Sequence, residues 1–417
     1  MPHATQDTGE ATEAGDPAPA DLLRLARETY RNEIGDAHGG ARAAEVFSTR
    51  VDEILQQLHA RAAHPVAAVA LVAIGGYGRR HLCLHSDLDL LFLFDGQIAS
   101  AEEQFVTELL HPLWDLGLNI GQQVRQLDEL AEAQPDNPEF LVALRDARFL
   151  AGDTGLFARF DTIVRGAQSV WRQPTIDALL GLVRDRHRQF NATIYQLEPD
   201  VKEAPGALRD VSAIRIFGGL APAATARARP AASGRLDEAL DEAEEFLLRI
   251  RSLLHLENTR NLNGLSHEQQ EAIAKYFGSP GSEASGQVEA LMSVYYHHAR
   301  IVSRILSAAL REAKPPVAPV DEEPVGDNFR RDINGISLID SVRASLQPQT
   351  WLGLFQAALD HGCAVSPDGL AFLERHGERY TSDEFFPGTP ERDRFLHFLK
   401  PRPGLYDRLS ELHQTGL

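Results

Sequence analysis

Apolar residues recur at helical spacing in "PADLLRLARETYRNEI" and "AAEVFSTRVDEILQQLHARAA", after which "HPVAAVALVAIGG" changes to a continuous run of small and β-branched residues closed by glycines. The pattern predicts two helices and then a buried strand. A second apolar run, Leu90 to Phe94, predicts another buried strand. "SAEEQFVTELLHPLWDLGL" keeps helical periodicity from a candidate N-cap at Ser100 to a stop at Gly117, and "NIGQQVRQL" reads as one more short strand. Residues 21–165 are therefore expected to form an α/β domain, a small sheet with helices.

From residue 170 the signals turn almost wholly helical: "TIDALLGLVRDRHRQFNATIYQL", "RLDEALDEAEEFLLRIRSLLHLENTR", "SHEQQEAIAKYFG" and "SGQVEALMSVYYHHARIVSRILSAALREA" all carry broad apolar stripes. A mostly α-helical domain over 166–313 is expected. Two stretches are rich in Pro or Ala and poor in core residues, "APAATARARPAASGR" and "KPPVAPVDEEPVGDN". The second is read as a linker over 314–330, ahead of a last helical segment at 331–417. The first twenty residues are acidic, short of large apolar groups, and expected to be a disordered tail.

Composition narrows the class. With 417 residues, 43% hydrophobic and 24% charged, the chain has the balance of a globular protein of two or three domains. No apolar run approaches the ~18 residues of a membrane helix, and the start lacks the basic and apolar segments of a signal peptide. The expectation is a cytoplasmic protein with no membrane partner. A formal net charge of -19 opposes a nucleic-acid partner, which would call for a basic face. Cys83 and Cys363 are far apart and without cysteine neighbours, which predicts buried thiols rather than a zinc cluster or a disulfide.

The chemistry concentrates in "LVAIGGYGRRHLCLHSDLDLLFLF", residues 71 to 94. Asp87 and Asp89 stand at i and i+2 at the head of the apolar strand, so they project to one side. Unpaired charge is costly there, and one or two Mg²⁺ ions (Mn²⁺ serving equally) bound to phosphate oxygens would offset it. Upstream, Gly75, Gly76 and Gly78 permit a sharp turn, and a helix starting near Arg79 would aim N–H groups at an anion. Ser86 offers a hydroxyl, and Arg79 a bidentate phosphate contact. The competing reading is a plain loop with a capping Ser-Asp. The conjunction of strand, Gly-Gly, short helix and Ser-Asp-x-Asp favours a metal-bound triphosphate.

This stretch resembles the nucleotidyltransferase superfamily that shares the fold of DNA polymerase β, and more closely its bacterial PII uridylyltransferase branch. "LEPDVKEAPGALRDVSAIRIFG" at 197–218 is similar to that branch's Glu-Pro-Asp-Val-Lys and Pro-Gly-Gly-Leu-Arg-Asp signature, with Ala207 where a second glycine is usual. "FLLRIRSLLHLENTRNLNGLSHEQQEAIAKYFG" and "LMSVYYHHAR" resemble its helical domain, so the likeness covers most of residues 25–310. It implies an α/β nucleotidyltransferase domain, a small mixed sheet with helices, followed by mostly α-helical domains.

By the same resemblance, Asp87 and Asp89 are the metal-binding carboxylates, Gly75, Gly76 and Ser86 the triphosphate edge, with Arg79 nearby. Lys202, Arg209 and Asp210 reach the nucleotide or order the loop over it, the competing use being an interdomain ion pair between Arg209 and an acid. Many relatives place a third carboxylate on the next strand, but "NIGQQVRQ" has none. Asp146 is the substitute by sequence order, and a salt bridge with Arg145 or Arg148 is its more ordinary use. His297 and His298 are adjacent on a helix and therefore diverge, which favours packing over metal binding.

The implied reaction is transfer of UMP from UTP to a tyrosine of a PII-type signalling protein, releasing pyrophosphate. An adenylyltransferase acting on PII or glutamine synthetase, a non-catalytic nucleotide-sensing module and, third, a tRNA-end-adding activity are the alternatives. Full-length relatives carry a His-Asp phosphohydrolase domain and two ACT domains. None of the sixteen histidines here precedes an aspartate, so neither uridylyl removal nor glutamine control is expected of this chain.

Overall fold

The computed structural model describes residues 17–35, 39–130, 136–166, 169–191, 193–220, 232–278, 284–313, 323–332, 335–377 and 379–415. The acidic tail and most of the first low-complexity stretch therefore lie outside the described residues. The chain divides into two compact units, 1–313 and 314–417.

In the first unit, α1 (Pro19–Ile34) and α2 (Gly40–Arg61) precede β1 (Val69–Ala73), the single turn α3 (Gly75–Gly78) and β2 (Leu88–Phe94). Then come α4 (Ser100–Asp115), β3 (Ile120–Gln126), α5 (Pro138–Ala143), β4 (Arg148–Gly152) and α6 (Thr154–Arg165). The sheet order is β3-β2-β1-β4, with β2 and β3 parallel and the other pairs antiparallel. This is the small mixed sheet expected.

Period-two alternation sends the two faces of the sheet into separate cores. Val69, Leu71, Ala73, Leu90, Phe92 and Phe94 enter a large core. Ala70, Val72, Leu91 and Leu93 enter a smaller one with Phe140, Phe160 and Trp171. Trp171 is buried beside the sheet because its indole N–H donates to the Leu130 carbonyl at 3.0 Å.

The helical part comprises α7 (Arg172–Gln189), α8 (Leu208–Leu220), α9 (Ala232–Glu257), α10 (His267–Ala274) and α11 (Ala284–Ala313). It does not close a core of its own. The large core runs from Leu23 through the sheet to Leu306, so the stretches read as separate domains at 21–165 and 166–313 are one compact unit. The join is close at the start of α2. The Glu245 carboxylate on α9 accepts from the N–H groups of Gly40 and Ala41, each at 2.6 Å, and caps that helix. A side chain at position 40 would lie 2.5 Å from the backbone of Arg249 and Glu245.

Three local expectations change. Ala99, not Ser100, precedes α4, and its N–H is satisfied by the Glu102 carboxylate at 3.0 Å. The helical pattern of "TIDALLGLVRDRHRQFNATIYQL" ends at Gln189, because Asn191 turns the chain with φ +55°. In the second unit, strands β5 (Glu323–Val325), β6 (Phe329–Asp332) and β7 (Gly335–Leu338) form an antiparallel sheet within the stretch read as linker and at the start of the one read as helical. Their short segments hide the period-two signal. The helices that follow close a core around Ile336, Trp351, Phe355, Leu373 and Phe398. No helix among the described residues is long and apolar enough to cross a membrane. Cys83 is a buried free thiol, and Cys363 is half-buried.

Candidate active site

The glycine turn is built from both ends. Ile74 is extended and Gly75 takes φ +58°, a conformation that favours glycine. The turn α3 starts at Gly75 and is finished by Gly78, so the helix expected to start near Arg79 instead ends there. Its far end is stapled from beneath. Arg148 donates to the Gly78 and Tyr77 carbonyls at 3.1 and 3.2 Å and grips Asp52 through both terminal nitrogens at 2.7 and 3.0 Å. The Tyr77 hydroxyl donates to the same Asp52 at 2.7 Å.

Asp89 lies at the head of β2, on the face it shares with Leu91 and Leu93, and pairs in register with Gly121 of β3. Its carboxylate sits between two glycines. A methyl built on Gly75 would lie 3.3 Å from Oδ2, and one on Gly121 only 2.5 Å from Oδ1. Asp87 is exposed one residue before the strand. Both line an open depression of about 460 Å³ with Trp114, Leu118, Asn119, Ile120 and Gly121.

Neither carboxylate has an ion pair or hydrogen bond among the described residues. Burial and then the Asp87 charge raise the Asp89 pKa, while Lys202, Arg209 and Arg79 pull it down. The Lys202 pKa is in turn lowered by burial and by Arg209 and Arg251, against the attraction of Glu203 and Asp87. Two acids without a direct partner thus feel the charge of Lys202 from the helical part of the chain, which itself pairs with Glu203 at 3.7 Å.

Arg79 is committed to Asp146, which corrects the partner expected for that acid. Burial raises the Asp146 pKa and Arg79 opposes the shift. Arg148 is unavailable to Asp146 because it holds Asp52, and Arg145 donates to the Val164 carbonyl at 2.9 Å. Gly76 faces open space.

In the second motif, Asp200 accepts from the N–H groups of Lys202 and Glu203, both at 2.8 Å, turning the chain tightly. Gly206 takes φ +79° with the Ala299 backbone pressed against it, and a methyl there would fall 2.6 Å from the Ala299 oxygen. Ala207 has no positive φ and is fully buried, so only one glycine is required at this bend. The fully buried Asp210 accepts from Gly206 N–H at 2.7 Å and from His187 at 2.9 Å, and pairs with Arg186. Its carboxylate braces the loop and does not face the depression. Arg209 pairs with Glu203 of its own loop at 3.3 Å, not across domains.

Sequence reasoning passes over three contributors. Gly121 gives Asp89 its space, a role visible only once β2 and β3 are in register. Arg251 on α9 donates to Ser86 Oγ at 3.2 Å and to Asn263 Oδ1 at 2.8 Å. His255, one turn on, accepts from the His85 N–H at 3.2 Å, and burial and Arg251 push its pKa down to about 3. Arg251 and His255 lie in the stretch that carries the family resemblance, but nothing in their spacing points to Ser86. His298 packs on Phe246 with ring centroids 4.7 Å apart, as a core histidine does. Among the described residues no three His, Cys, Asp or Glu cluster as a metal site.

Comparison with known proteins bears on both halves of this arrangement. Residues 176–310 match the GlnD PII-uridylyltransferase family. That GlnD region contains the loop of Lys202, Arg209 and Asp210 and the Arg251 helix. Over a wider span, the chain is 29% identical across 414 residues to a bifunctional uridylyltransferase/uridylyl-removing enzyme of Pseudomonas aeruginosa, covering 95% of this chain and 45% of that protein. A protein of the same description from Vibrio campbellii is 31% identical over 369 residues, 84% of this chain and 41% of the relative. One from Pseudomonas fluorescens is 29% identical over 414 residues, with 95% and 45% covered. The chain spans less than half the length of these GlnD-type relatives, and the similarity takes in the Asp87–Asp89 strand only through them.

Proposed function

We propose that this chain is a nucleotidyltransferase of the DNA polymerase β type that moves UMP from UTP to a tyrosine hydroxyl of a PII-type protein. One observation carries the reading: two carboxylates with no ion pair or hydrogen bond among the described residues, one of them held between glycines, line an open depression within reach of the Lys202 charge. Oxygen donors of this kind suit Mg²⁺, which takes the remainder of its shell from water and phosphate. Asp87 and Asp89 would hold it, and when bound it supplies charge neutralisation for the triphosphate.

The protein's own residues do the rest by position and charge. Lys202, and Arg209 beyond it, offset charge on the leaving pyrophosphate. The Gly75–Gly76 edge, free of side chains, lets the phosphates approach the backbone. The acceptor oxygen attacks the α-phosphorus as the bond to the bridging oxygen breaks. Uracil preference and the PII acceptor rest on what the relatives are described as doing.

The test is incubation with PII, Mg²⁺ and each labelled nucleoside triphosphate. Label from UTP should enter PII and should be lost in Asp87→Asn/Asp89→Asn with folding intact. Label from ATP instead would make the chain an adenylyltransferase, and unchanged transfer by the double variant would refute the site. UMP-PII without pyrophosphate is expected to release no UMP. A second reading, nucleotide sensing without transfer, is favoured by the lack of an acid on β3 and by the commitment of Asp146 to Arg79. It requires UTP binding with unmodified PII at high enzyme concentration.

A further inference from the structure

Ser86 carries one O–H donor and two acceptor lone pairs. Both lone pairs are engaged: the Cys83 N–H donates to Oγ at 3.0 Å and Arg251 Nη2 donates at 3.2 Å. The proton therefore points away from both, and no acceptor for it exists among the described residues. Arg251 is fixed in this act. It is 7% exposed, its Nε donates to Asn263 Oδ1 at 2.8 Å, and it has no ion pair with a carboxylate among the described residues. A guanidinium buried without an acid is costly unless an anion completes the site. Burial and Arg251 push the His255 pKa down to about 3, so that ring adds no charge beside the guanidinium.

We propose that Arg251 is a positioning residue that saturates the acceptor capacity of Ser86 and thereby makes the Ser86 hydroxyl a dedicated donor to a phosphate oxygen of the nucleoside triphosphate. Ser86 stands immediately before Asp87 in the chain, next to the residue expected to meet the triphosphate. The inference rests on the nucleotidyltransferase reading and adds to it a phosphate contact tied to the helical part of the chain.

The experiment is a double-mutant cycle on the full chain, reading UTP affinity by calorimetry with Mg²⁺, thermal unfolding for fold, and pyrophosphate as a second titrant. Ser86→Ala and Arg251→Gln should each weaken UTP about tenfold, the scale of one hydrogen bond to a charged group. In the S86A background, R251Q should cost under about twofold further, because its partner is already gone. Ser86→Thr, which keeps the hydroxyl, should hold affinity within about threefold and decides the matter if R251Q unfolds. Pyrophosphate should show the same pattern if the contact is to the β or γ phosphate and no dependence on Ser86 if it is to the α phosphate; either result supports a phosphate contact when the UTP cycle is coupled. S86A binding UTP as the parent does, or R251Q costing the same factor with and without Ser86, overturns the proposal while leaving the transferase reading intact. A parent chain that binds no UTP would instead overturn both.

Discussion

Replacing Gly121 by alanine should separate activity from stability. The methyl would stand 2.5 Å from Asp89 Oδ1 and 3.6 Å from its Cγ, and carbon and oxygen settle near ~3.4 Å, so the carboxylate must retreat by about 1 Å. It has room to do so, since Gly75 on its other flank presents no side chain. The movement involves the free end of a side chain, and Gly121 has no positive φ to lose. Stability should therefore change by less than about 1 kcal/mol, the usual span for a strand substitution. Catalysis is less tolerant. Misplacing a catalytic group by about 1 Å costs on the order of 10²-fold, which corresponds to roughly 2.7 kcal/mol in the barrier. The assay is kcat/KM for labelled UTP onto PII beside urea unfolding of the same preparation. Full activity in a folded Gly121→Ala variant would show that the Asp89 position does not matter and would undo the site as described.

Asp89 also sets a pH dependence. Burial and Asp87 raise its pKa, so the ionised form that the site needs is lost, on acidification, at a pH above the usual aspartate range. In the metal-free chain, Mg²⁺ affinity read by calorimetry should fall on acidification over that same range. For stability the sign reverses. A raised folded-state pKa favours folding below the unfolded value and costs stability once pH exceeds the folded one, so Asp89→Asn should stabilise the metal-free chain at pH 7, with the gain fading on acidification. A D89N variant less stable than the parent at pH 7 would contradict this. Asp210→Asn should act on the fold instead. It takes the buried anion away from the half-buried Arg186 and His187 and should cost about 3 kcal/mol in denaturant unfolding, whereas a loss under about 1 kcal/mol would refute the bracing role.

The legible parts of the molecule are those with a local cause. Continuous apolar runs bounded by glycine predict β1 and β2, and a Ser-Asp-x-Asp at the head of one predicts the acidic pair, because period two is a property of neighbours in sequence. Gly121 and Arg251 are not legible. Each matters through a partner on another element, and strand register or helix packing is what brings it there. Asp146 and Arg79 both stand out in the sequence, yet their pairing does not, since they lie 67 residues apart. The motif alone turns Asp210 toward the nucleotide, and only burial against α7 shows its carboxylate engaged elsewhere. The β5–β7 sheet escapes a sequence reading because its segments are three or four residues long, too short to show a period of two.

The cap that Glu245 places on Gly40 joins residues 205 positions apart. Helix α2 leaves a ribosome before α9 does and cannot acquire that cap until α9 has been made. At a synthesis rate of ~5–20 residues per second the interval is about 10–40 s, during which the apolar faces of α1, α2 and the sheet lack the cover that later becomes the large core. Closure over so long a loop is also slow in itself. Fragments of this chain ending before residue 245 should therefore be recovered mainly as aggregates.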